Sequence, residues 1–401
     1  MTERIQPDAL KCLEIPQSPE EIFNGARWED FTFAQYPLAG AITHWGFDVD
    51  NEKIAEILTC SGSPTNKDQV DKTGFNQRSL YPFGTSLADA AVVEKMLGVE
   101  LIQRACANYG IKPEQLSVVA FANSFPFYRG AHIQSFTKQI ASLGRVPSEA
   151  LTIDAQLLCN GTVELMRKLA LQSDKLNRKF VAVGSVEGLS KMLVPNEVGK
   201  RVDPANLQIF TNAGAALVWQ MGKDIEFPQI GEFQSGHDDY KTAIGDSFYD
   251  FPDYINPGDI YADEACIRQR IIPTPDGATY ASMDPRATLQ WVGKVVKPRF
   301  LGVLRKHFPH PHVEEIPYIG HVPSEIVHTN LITTAQRNGY NLHAPIYVRD
   351  GNASSAVALM QMLRASADGF FDNDLETLVF GYGLGWNMSS FTMRMLRRKN
   401  F

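Results

Sequence analysis

Short apolar runs alternate along the first half of the chain with segments whose apolar residues recur at helical spacing. The run Leu116–Ala122 is continuously apolar, which is typical of a strand covered on both faces of a sheet. Ser86–Tyr109 carries a helical pattern, with Ser86 as the N-cap and Gly110 after its last residue. Further strands are predicted over Leu38–Phe47, Ala150–Leu158, Lys179–Val186 and Asn206–Gln220, helices over Asp48–Leu58 and 162–173, and a loop over Thr65–Phe83.

The second half repeats this alternation after a stretch rich in Asp, Pro, Gly and Tyr. Residues 228–285 form that stretch, which indicates a loop insertion or a lid. Beyond it the pattern predicts helices over Leu289–His307, Ser324–Arg337 and 354–366, strands over Glu315–Gly320 and Ala344–Val348, and a closing hairpin of Leu375–Gly381 and Ser389–Arg397.

Alternating strands and helices predict an α/β protein. Both halves contain β–α units with a polar residue where a strand meets a helix, which favours two diverged copies of one unit. We expect a surface arm over residues 1–37, one half over 38–220 and the other over 221–401.

Charge and cysteine usage narrow the class of protein. The 401 residues include 45 Asp and Glu and 38 Lys and Arg, and the resulting net charge of −7 disfavours nucleic acid as a partner. No apolar run approaches the roughly 18 residues of a membrane helix, and the N-terminus lacks a signal-peptide pattern. The five cysteines are scattered without a C-x-x-C pair, so we expect neither a disulfide framework nor structural zinc, and a cytoplasmic location.

Cys159 occupies the position best suited to chemistry. It follows the apolar run Ala150–Leu158 and comes directly before a predicted helix, with Gly161 permitting a tight turn. The positive end of the helix dipole and its free N–H groups favour the thiolate, which is the form that attacks thioesters. The alternative is a structural cysteine buried in the core.

His321 and Asn352 occupy similar strand-to-helix junctions. His321 follows the strand Glu315–Gly320, although a lone histidine is more often a core or surface residue, and His328 in the next helix competes with it. Asn352 follows Gly351, where a helix cap beside a turn glycine is the simpler interpretation.

Two other patterns carry less chemical information. The cluster of His307, His310 and His312 is broken by prolines and matches no zinc spacing, so we predict a solvated loop and no metal centre. The glycine-rich segment 380–386 lacks the context of a dinucleotide site, but its backbone N–H groups suit an oxyanion.

Five segments in order resemble motifs of the thiolase superfamily, most closely the type III ketoacyl-acyl-carrier-protein synthases and their acyltransferase relatives. The resemblance covers roughly residues 38–401. The segments are Lys72-Thr73-Gly74-Phe75, Asp154-Ala-Gln-Leu-Leu-Cys159-Asn-Gly, Phe210-Thr-Asn-Ala-Gly-Ala, Gly351-Asn352-Ala-Ser-Ser and Phe380-Gly-Tyr-Gly-Leu-Gly-Trp386.

The resemblance implies a five-layered αβαβα fold built from two duplicated halves, and a homodimer. It also implies a catalytic triad of Cys159, His321 and Asn352, and substrates that are thioesters of coenzyme A or acyl carrier protein, with no cofactor. The backbone N–H groups of Cys159 and of a residue near Tyr382 would hold the oxyanion. Phe380 would lie beside the thiol, and Phe127 near the acyl pocket and the dimer seam.

The resemblance implies an activity as well. Cys159 would accept an acyl group, and a malonyl thioester would lose carbon dioxide and attack it in a Claisen condensation, in specialised metabolism. Two alternatives remain open, namely acyl transfer to a hydroxyl, amine or thiol with His321 as the base, and a non-catalytic partner subunit.

The sequence departs from the synthase pattern near the proposed histidine. His321-Val-Pro-Ser replaces the usual His-Gln-Ala-Asn, and an alternative register places Ser324 in the position of the histidine. Lys72 stands where the family has arginine, which leaves the contacts to a carrier arm open.

Overall fold

The computed structural model describes residues 15–33, 36, 38–60, 65–82, 85–124, 135–192, 204–235, 260–261, 271–273, 279–281, 289–311, 315–383 and 387–397. The α-helices are α1 (Pro19–Asn24), α2 (Asn51–Cys60), α3 (Lys67–Asp71), α4 (Leu87–Tyr109), α5 (Phe136–Leu143), α6 (Gly161–Ala170), α7 (Pro204–Ile209), α8 (Lys297–His307), α9 (Glu325–Arg337) and α10 (Ala356–Ala367). A π-helical segment, Val292–Val296, runs into α8.

The strands of the first half are β1 (Arg27–Thr32), β2 (Leu38–His44), β3 (Phe47–Asp50), β4 (Gln77–Leu80), β5 (Leu116–Ala122), β6 (Leu151–Gln156), β7 (Phe180–Gly188) and β8 (Asn212–Gln220). Those of the second half are β9 (Ile225–Glu226), β10 (Gln234–Ser235), β11 (Ile260–Tyr261), β12 (Ile271–Pro273), β13 (Thr279–Ala281), β14 (Glu315–Gly320), β15 (Asn341–His343), β16 (Thr377–Tyr382) and β17 (Asn387–Met395).

Two large sheets share one topology. The first runs β1-β2-β8-β7-β5-β6-β11, and the second runs β10-β17-β16-β14-β15. Within them, β8-β7-β5-β6 and β17-β16-β14-β15 match strand for strand, because each has one antiparallel pair followed by two parallel pairs. This match supports the duplication that the sequence predicts, with α6 and α10 as equivalent helices.

The equivalent helices α6 and α10 lie between the two sheets. Each packs against strands of both, and the side chains of α10 from Ala356 to Ser366 are buried except that of Arg364. A helix that is apolar on all sides requires such a position. Helices α4 and α5 cover the outer face of the first sheet, while α8 and α9 lie on the second, which completes the five layers.

Several elements differ from the sequence prediction. The predicted loop Thr65–Phe83 contains α3 and β4, and β4 pairs with β3, which replaces the predicted start of a helix at Asp48. The predicted strand Asn206–Gln220 divides into α7 and β8. The strand predicted over Ala344–Val348 is wrong, because the strand is Asn341–His343 and Pro345 has no N–H group to continue it.

Part of the predicted surface arm belongs to the first sheet, because β1 pairs with β2 along six residues. Most of the predicted insertion 228–285 lies outside the described residues, although β11 within it pairs with β6. None of the described helices is long and apolar enough to cross a membrane.

The packing of α6 requires glycine at its first residue. A Cβ atom on Gly161 would lie 2.7 Å from the Cβ of Ala122 and 2.7 Å from Oγ of Ser355. We expect Gly161→Ala to lower the free energy of unfolding by about 1–3 kcal/mol, because neither neighbour is a flexible side chain that can move aside. The control is Gly302→Ala in α8, where no atom lies within 4 Å and alanine should stabilise by about 0.5–1 kcal/mol. Chemical denaturation measures both, and an unchanged Gly161→Ala midpoint would contradict the packing.

Candidate active site

Cys159, His321 and Asn352 border one cavity of about 190 Å³. Its other walls are largely apolar and include Trp291 and Val327. The structure therefore brings the three predicted side chains together, although they are separated by up to 193 positions in the sequence. Their catalytic roles remain predictions.

Cys159 lies in a short 3₁₀ turn, Leu158–Asn160, that leads directly into α6. The residue is only 4% exposed, and the backbone of Gly383 packs against it. A Cβ atom on Gly383 would lie 3.0 Å from the Cys159 nitrogen and 3.3 Å from the Cys159 Cβ. The bend after β16 thus packs closely on the turn before α6, and a side chain at residue 383 would require the backbone of Cys159 and Asn160 to shift by a few tenths of an ångström.

Asn160 anchors this turn to the second half of the fold. Its Nδ2 donates to Oγ of Ser389 at 2.9 Å, and Ser389 donates to Oε2 of Glu164 at 2.6 Å. Arg167 holds both oxygens of Glu164 and donates to the carbonyl of Gly231. A buried carboxylate is tolerated here because it is paired and fully hydrogen-bonded.

His321 follows the last residue of β14 and is 1% exposed. Its backbone N–H donates to the carbonyl of Phe380, and its ring centroid lies 5.6 Å from that of Tyr382. Burial lowers the pKa of His321 to about 3, because the apolar surroundings disfavour the charged ring. At neutral pH the imidazole is therefore uncharged.

The competing candidates have structural roles. Ser324 also borders the cavity, but its Oγ accepts from the backbone N–H of Val327 as the N-cap of α9. Nε2 of His328 lies 3.0 Å from the carbonyl oxygen of Ala344, and its ring stacks on Tyr318. The geometry therefore favours His321 over either residue as the titratable group of the cavity.

Asn352 is held by backbone contacts on both sides. Its N–H donates to the carbonyl of Ile209, and its carbonyl accepts from Thr211. Oδ1 accepts from the backbone N–H of Ser354 at 2.8 Å. Since the oxygen is engaged, the amide nitrogen is the end of the side chain that can donate to a ligand.

Three further predicted positions have different outcomes. Tyr382 borders the cavity and is 2% exposed. Phe380 packs on Phe300 and Tyr382, with ring centroids at 5.1 and 5.6 Å, and it is Tyr382 and Gly383 that form the cavity wall there. Phe127 lies outside the described residues.

The predicted histidine cluster is only partly described. Nδ1 of His307 is 3.1 Å from Oε1 of Gln229, His310 is exposed, and His312 lies outside the described residues. A different group, Glu29, His44 and Asp350, brings potential metal ligands together elsewhere. Arg364 donates to both of its carboxylates, so we interpret this group as an ion-pair network.

Sequence reasoning missed several residues of the site. Trp291 is 1% exposed and packs 6.3 Å from the ring of Tyr382, beside the π-helical segment that borders the cavity. Only the apolar face of the predicted helix Leu289–His307 indicated its burial. Ser354 was also missed, although it touches the thiol with an Oγ-to-Sγ distance of 3.4 Å.

No protein-family model matches the sequence, and no curated protein matches it. Solved structures do match. The 3-oxoacyl-[acyl-carrier-protein] synthase III of Aquifex aeolicus is similar at 14% identity and a TM-score of 0.64, with 91% of this chain and 100% of that one covered. Cerulenin-bound OleA of Xanthomonas campestris is similar at 14% identity with a TM-score of 0.63, and 95% of this chain and 100% of that one are covered.

The priming β-ketosynthase of the R1128 polyketide biosynthetic pathway is similar at 16% identity with a TM-score of 0.63, covering 93% of this chain and 99% of that one. At these identities the likeness concerns the fold. Together with the matching sheets and the central helix pair, it shows that this chain has the thiolase fold, in the form found in ketosynthase III-like enzymes.

Proposed function

We propose that this protein is a condensing enzyme that joins an acyl thioester to a malonyl thioester by decarboxylative Claisen condensation. The observation that carries the proposal is the common cavity of Cys159, His321 and Asn352. A nucleophile at a helix start, beside an uncharged imidazole and an amide, fits a two-step transfer of an acyl group.

In the first step the Cys159 thiol loses its proton, and its sulfur attacks the carbonyl carbon of the acyl thioester. A new S–C bond forms, and the carrier leaves as a thiolate that solvent protonates. The largely apolar cavity walls, which include Trp291 and Val327, suit an acyl chain. The oxyanion of this step is assigned to backbone N–H groups of Cys159 and of the Tyr382 region, as the resemblance implies.

In the second step the malonyl thioester loses carbon dioxide. The electron pair of the broken C–C bond forms an enolate, which attacks the acyl carbon and releases the Cys159 sulfur. An uncharged His321 and the amide nitrogen of Asn352 are hydrogen-bond donors for the enolate oxygen. These steps use protein groups and the thioester substrates, with no cofactor.

Acyl transfer to a hydroxyl, amine or thiol acceptor is the second candidate, because His321, Pro323 and Ser324 of the altered segment border the cavity. That reaction needs His321 as a general base. A pKa of about 3 makes its imidazole a weak base at neutral pH, whereas hydrogen-bond donation requires no proton uptake. The burial of His321 therefore favours condensation.

The thioester donors proposed are acyl-CoA or acyl carrier protein, and the assembly proposed is a homodimer in the cytoplasm. The turn that contains Lys72 packs against the start of α9, since Glu325 donates its backbone N–H to the carbonyl of Thr73 at 2.9 Å. The exposed Lys72 thus lies near the helix that follows His321, where a cation suits a phosphate-bearing arm.

Single substitutions should separate the two steps. With an acyl thioester and an isotopically labelled malonyl thioester, His321→Ala should accumulate the acyl group on Cys159 but release at least about 10²-fold less carbon dioxide, because only the second step uses its imidazole. Cys159→Ala is the matched control and should carry no adduct. Intact-protein mass spectrometry and carbon dioxide capture give the two readouts.

Two results would redirect the proposal. Acylated product formed without carbon dioxide by the wild-type protein would establish the transferase instead. Full turnover by His321→Ala, with loss of turnover in Ser324→Ala, would assign the role of His321 to Ser324.

The condensation step should be nearly independent of pH. Starting from preformed acyl-enzyme, we expect single-turnover carbon dioxide release to change by less than about threefold between pH 5 and 8, because His321 stays uncharged across that range. A titration near the ordinary histidine pKa of about 6.5 in this step would contradict the burial effect.

A further inference from the structure

Hydroxyl groups connect the Cys159 thiol to a buried carboxylate that the proposed mechanism does not use. Oγ of Ser354 lies 3.4 Å from Sγ of Cys159 and 2.6 Å from Oγ of Ser124. Oγ of Ser124 in turn donates to Oε1 of Glu187 at 2.9 Å. All four residues are at most 6% exposed, so bulk water does not replace these contacts.

Local structure fixes the position of each serine. Ser354 has a φ of 47°, a left-handed conformation that costs a non-glycine residue of order 1 kcal/mol or more. The Oδ1 of Asn352 accepts its N–H and holds it there. Ser124 follows β5, and its backbone N–H donates to Oε2 of Glu187 at 3.0 Å. The fold thus maintains a strained backbone at Ser354, the residue whose hydroxyl contacts the Cys159 thiol.

Polar groups from several elements surround Glu187, which lies near the end of β7. Ser185 donates to Oε1 at 3.1 Å, and Ser355 before α10 also donates. Among the described residues, Lys191 is a charged group that interacts with Glu187, and it forms an ion pair with Glu94 of α4. Burial raises the pKa of Glu187 to about 7, against the opposing effect of the serine hydrogen bonds.

The number of protons limits this path of hydrogen bonds from Cys159 to Glu187 to two arrangements. Four heavy atoms make three contacts, and each serine hydroxyl has one proton to donate. When Cys159 and Glu187 together hold one proton, all three contacts contain a proton only if every donor points the same way. In one arrangement Cys159 is a thiol and Glu187 a carboxylate. In the other Cys159 is a thiolate and Glu187 a carboxylic acid. The two arrangements differ by the net transfer of one proton from Cys159 to Glu187.

We propose that Glu187 accepts the proton of Cys159 through Ser354 and Ser124 when the thiol is acylated. The S–H bond breaks as its proton moves to Ser354, whose own proton moves to Ser124, whose proton moves to Glu187. The electron pair on sulfur forms the bond to the acyl carbon. When condensation releases the sulfur as a thiolate, the proton returns by the same path.

The energetics favour this acceptor over the histidine of the cavity. Burial raises the pKa of the Glu187 carboxyl to about 7, so its carboxylate is the stronger base of the two. Burial lowers the pKa of His321 to about 3, so transfer of the same proton to His321 is less favourable than transfer to Glu187. Glu187 thus acts on Cys159 through the two serines and has no contact with the substrate in this proposal, so it is a positioning residue.

The test uses alkylation of Cys159 by iodoacetamide, followed by peptide mass spectrometry across pH. This readout depends on the thiolate and not on the natural substrate, so it remains informative if the proposed condensation is wrong. We expect Glu187→Gln to slow alkylation at pH 7 by about tenfold or more and to shift its pH midpoint upwards. The difference should shrink above pH 9, where hydroxide ionises the thiol directly.

Controls distinguish proton transfer from a structural effect. Ser185→Ala removes a hydrogen bond to Glu187 outside the path and should change the rate by less than about threefold. Ser124→Ala should reproduce the loss, and Ser124→Thr, which restores a hydroxyl, should recover the rate. The double variant Glu187→Gln/Ser124→Ala should be no slower than either single one, because the groups act as one unit.

Acyl-enzyme formation provides the second arm, since the mechanistic role rests on the proposed function. Slower acylation in Glu187→Gln, with normal carbon dioxide release from preformed acyl-enzyme, supports the assignment. Wild-type alkylation rates at pH 7 in a folded Glu187→Gln protein would overturn it. If that variant does not fold, equal rates in Ser124→Ala and Ser124→Thr, both matching the wild type, would overturn it as well.

Discussion

The site depends on the burial of two helices back to back between two sheets. Because α6 and α10 have neighbours on every side, their first turns have no access to bulk water and must find polar partners within the protein. Cys159 precedes one helix and Asn352 the other, at equivalent points of the two halves. The same packing that stabilises the core therefore places a thiol and an amide at one cavity.

Burial also determines the protonation states at the site. The apolar surroundings that keep His321 uncharged raise the pKa of Glu187, since both effects disfavour the charged form. The two buried carboxyl groups near the site differ in their partners. Glu164 is paired with Arg167 and accepts from Ser389, whereas Glu187 has mainly hydroxyl and amide donors. One carboxylate thus serves structure, and the other is available to exchange a proton.

Sequence patterns predicted the features that depend on local apolar spacing. The continuous run Leu116–Ala122 became β5, the alternation of elements gave the α/β class, and strand-to-helix junctions identified the residues that border the cavity. The segment Thr65–Phe83 was predicted wrongly because β4 is Gln77-Arg78-Ser79-Leu80, a short and mostly polar run without the apolar alternation that predicts a strand. Pro345 similarly marks where the run Ala344–Val348 fails as a strand.

The path of hydroxyl groups from Cys159 to Glu187 could not be predicted from the sequence, because only the duplicated topology brings its residues into contact. Ser124 and Ser354 come from different halves of the molecule, and serine at a strand end or a helix start is ordinarily a cap. Glu187 is the second-last residue of the apolar strand β7, and nothing in the local sequence signals a function. Its significance depends on burial and on partners from the segments after β5 and before α10, which only the assembled fold reveals.

The central claim is that Cys159 is a reactive thiol at the cavity, and the most direct test is which cysteine of the native protein is alkylated first. One equivalent of iodoacetamide at neutral pH, followed by peptide mass spectrometry, should modify Cys159 and leave Cys106 unmodified, because burial raises the pKa of Cys106 to about 12. Prior incubation with an acyl thioester should protect Cys159. An inert Cys159, with modification at Cys60 instead, would contradict the account of a reactive thiol at the cavity.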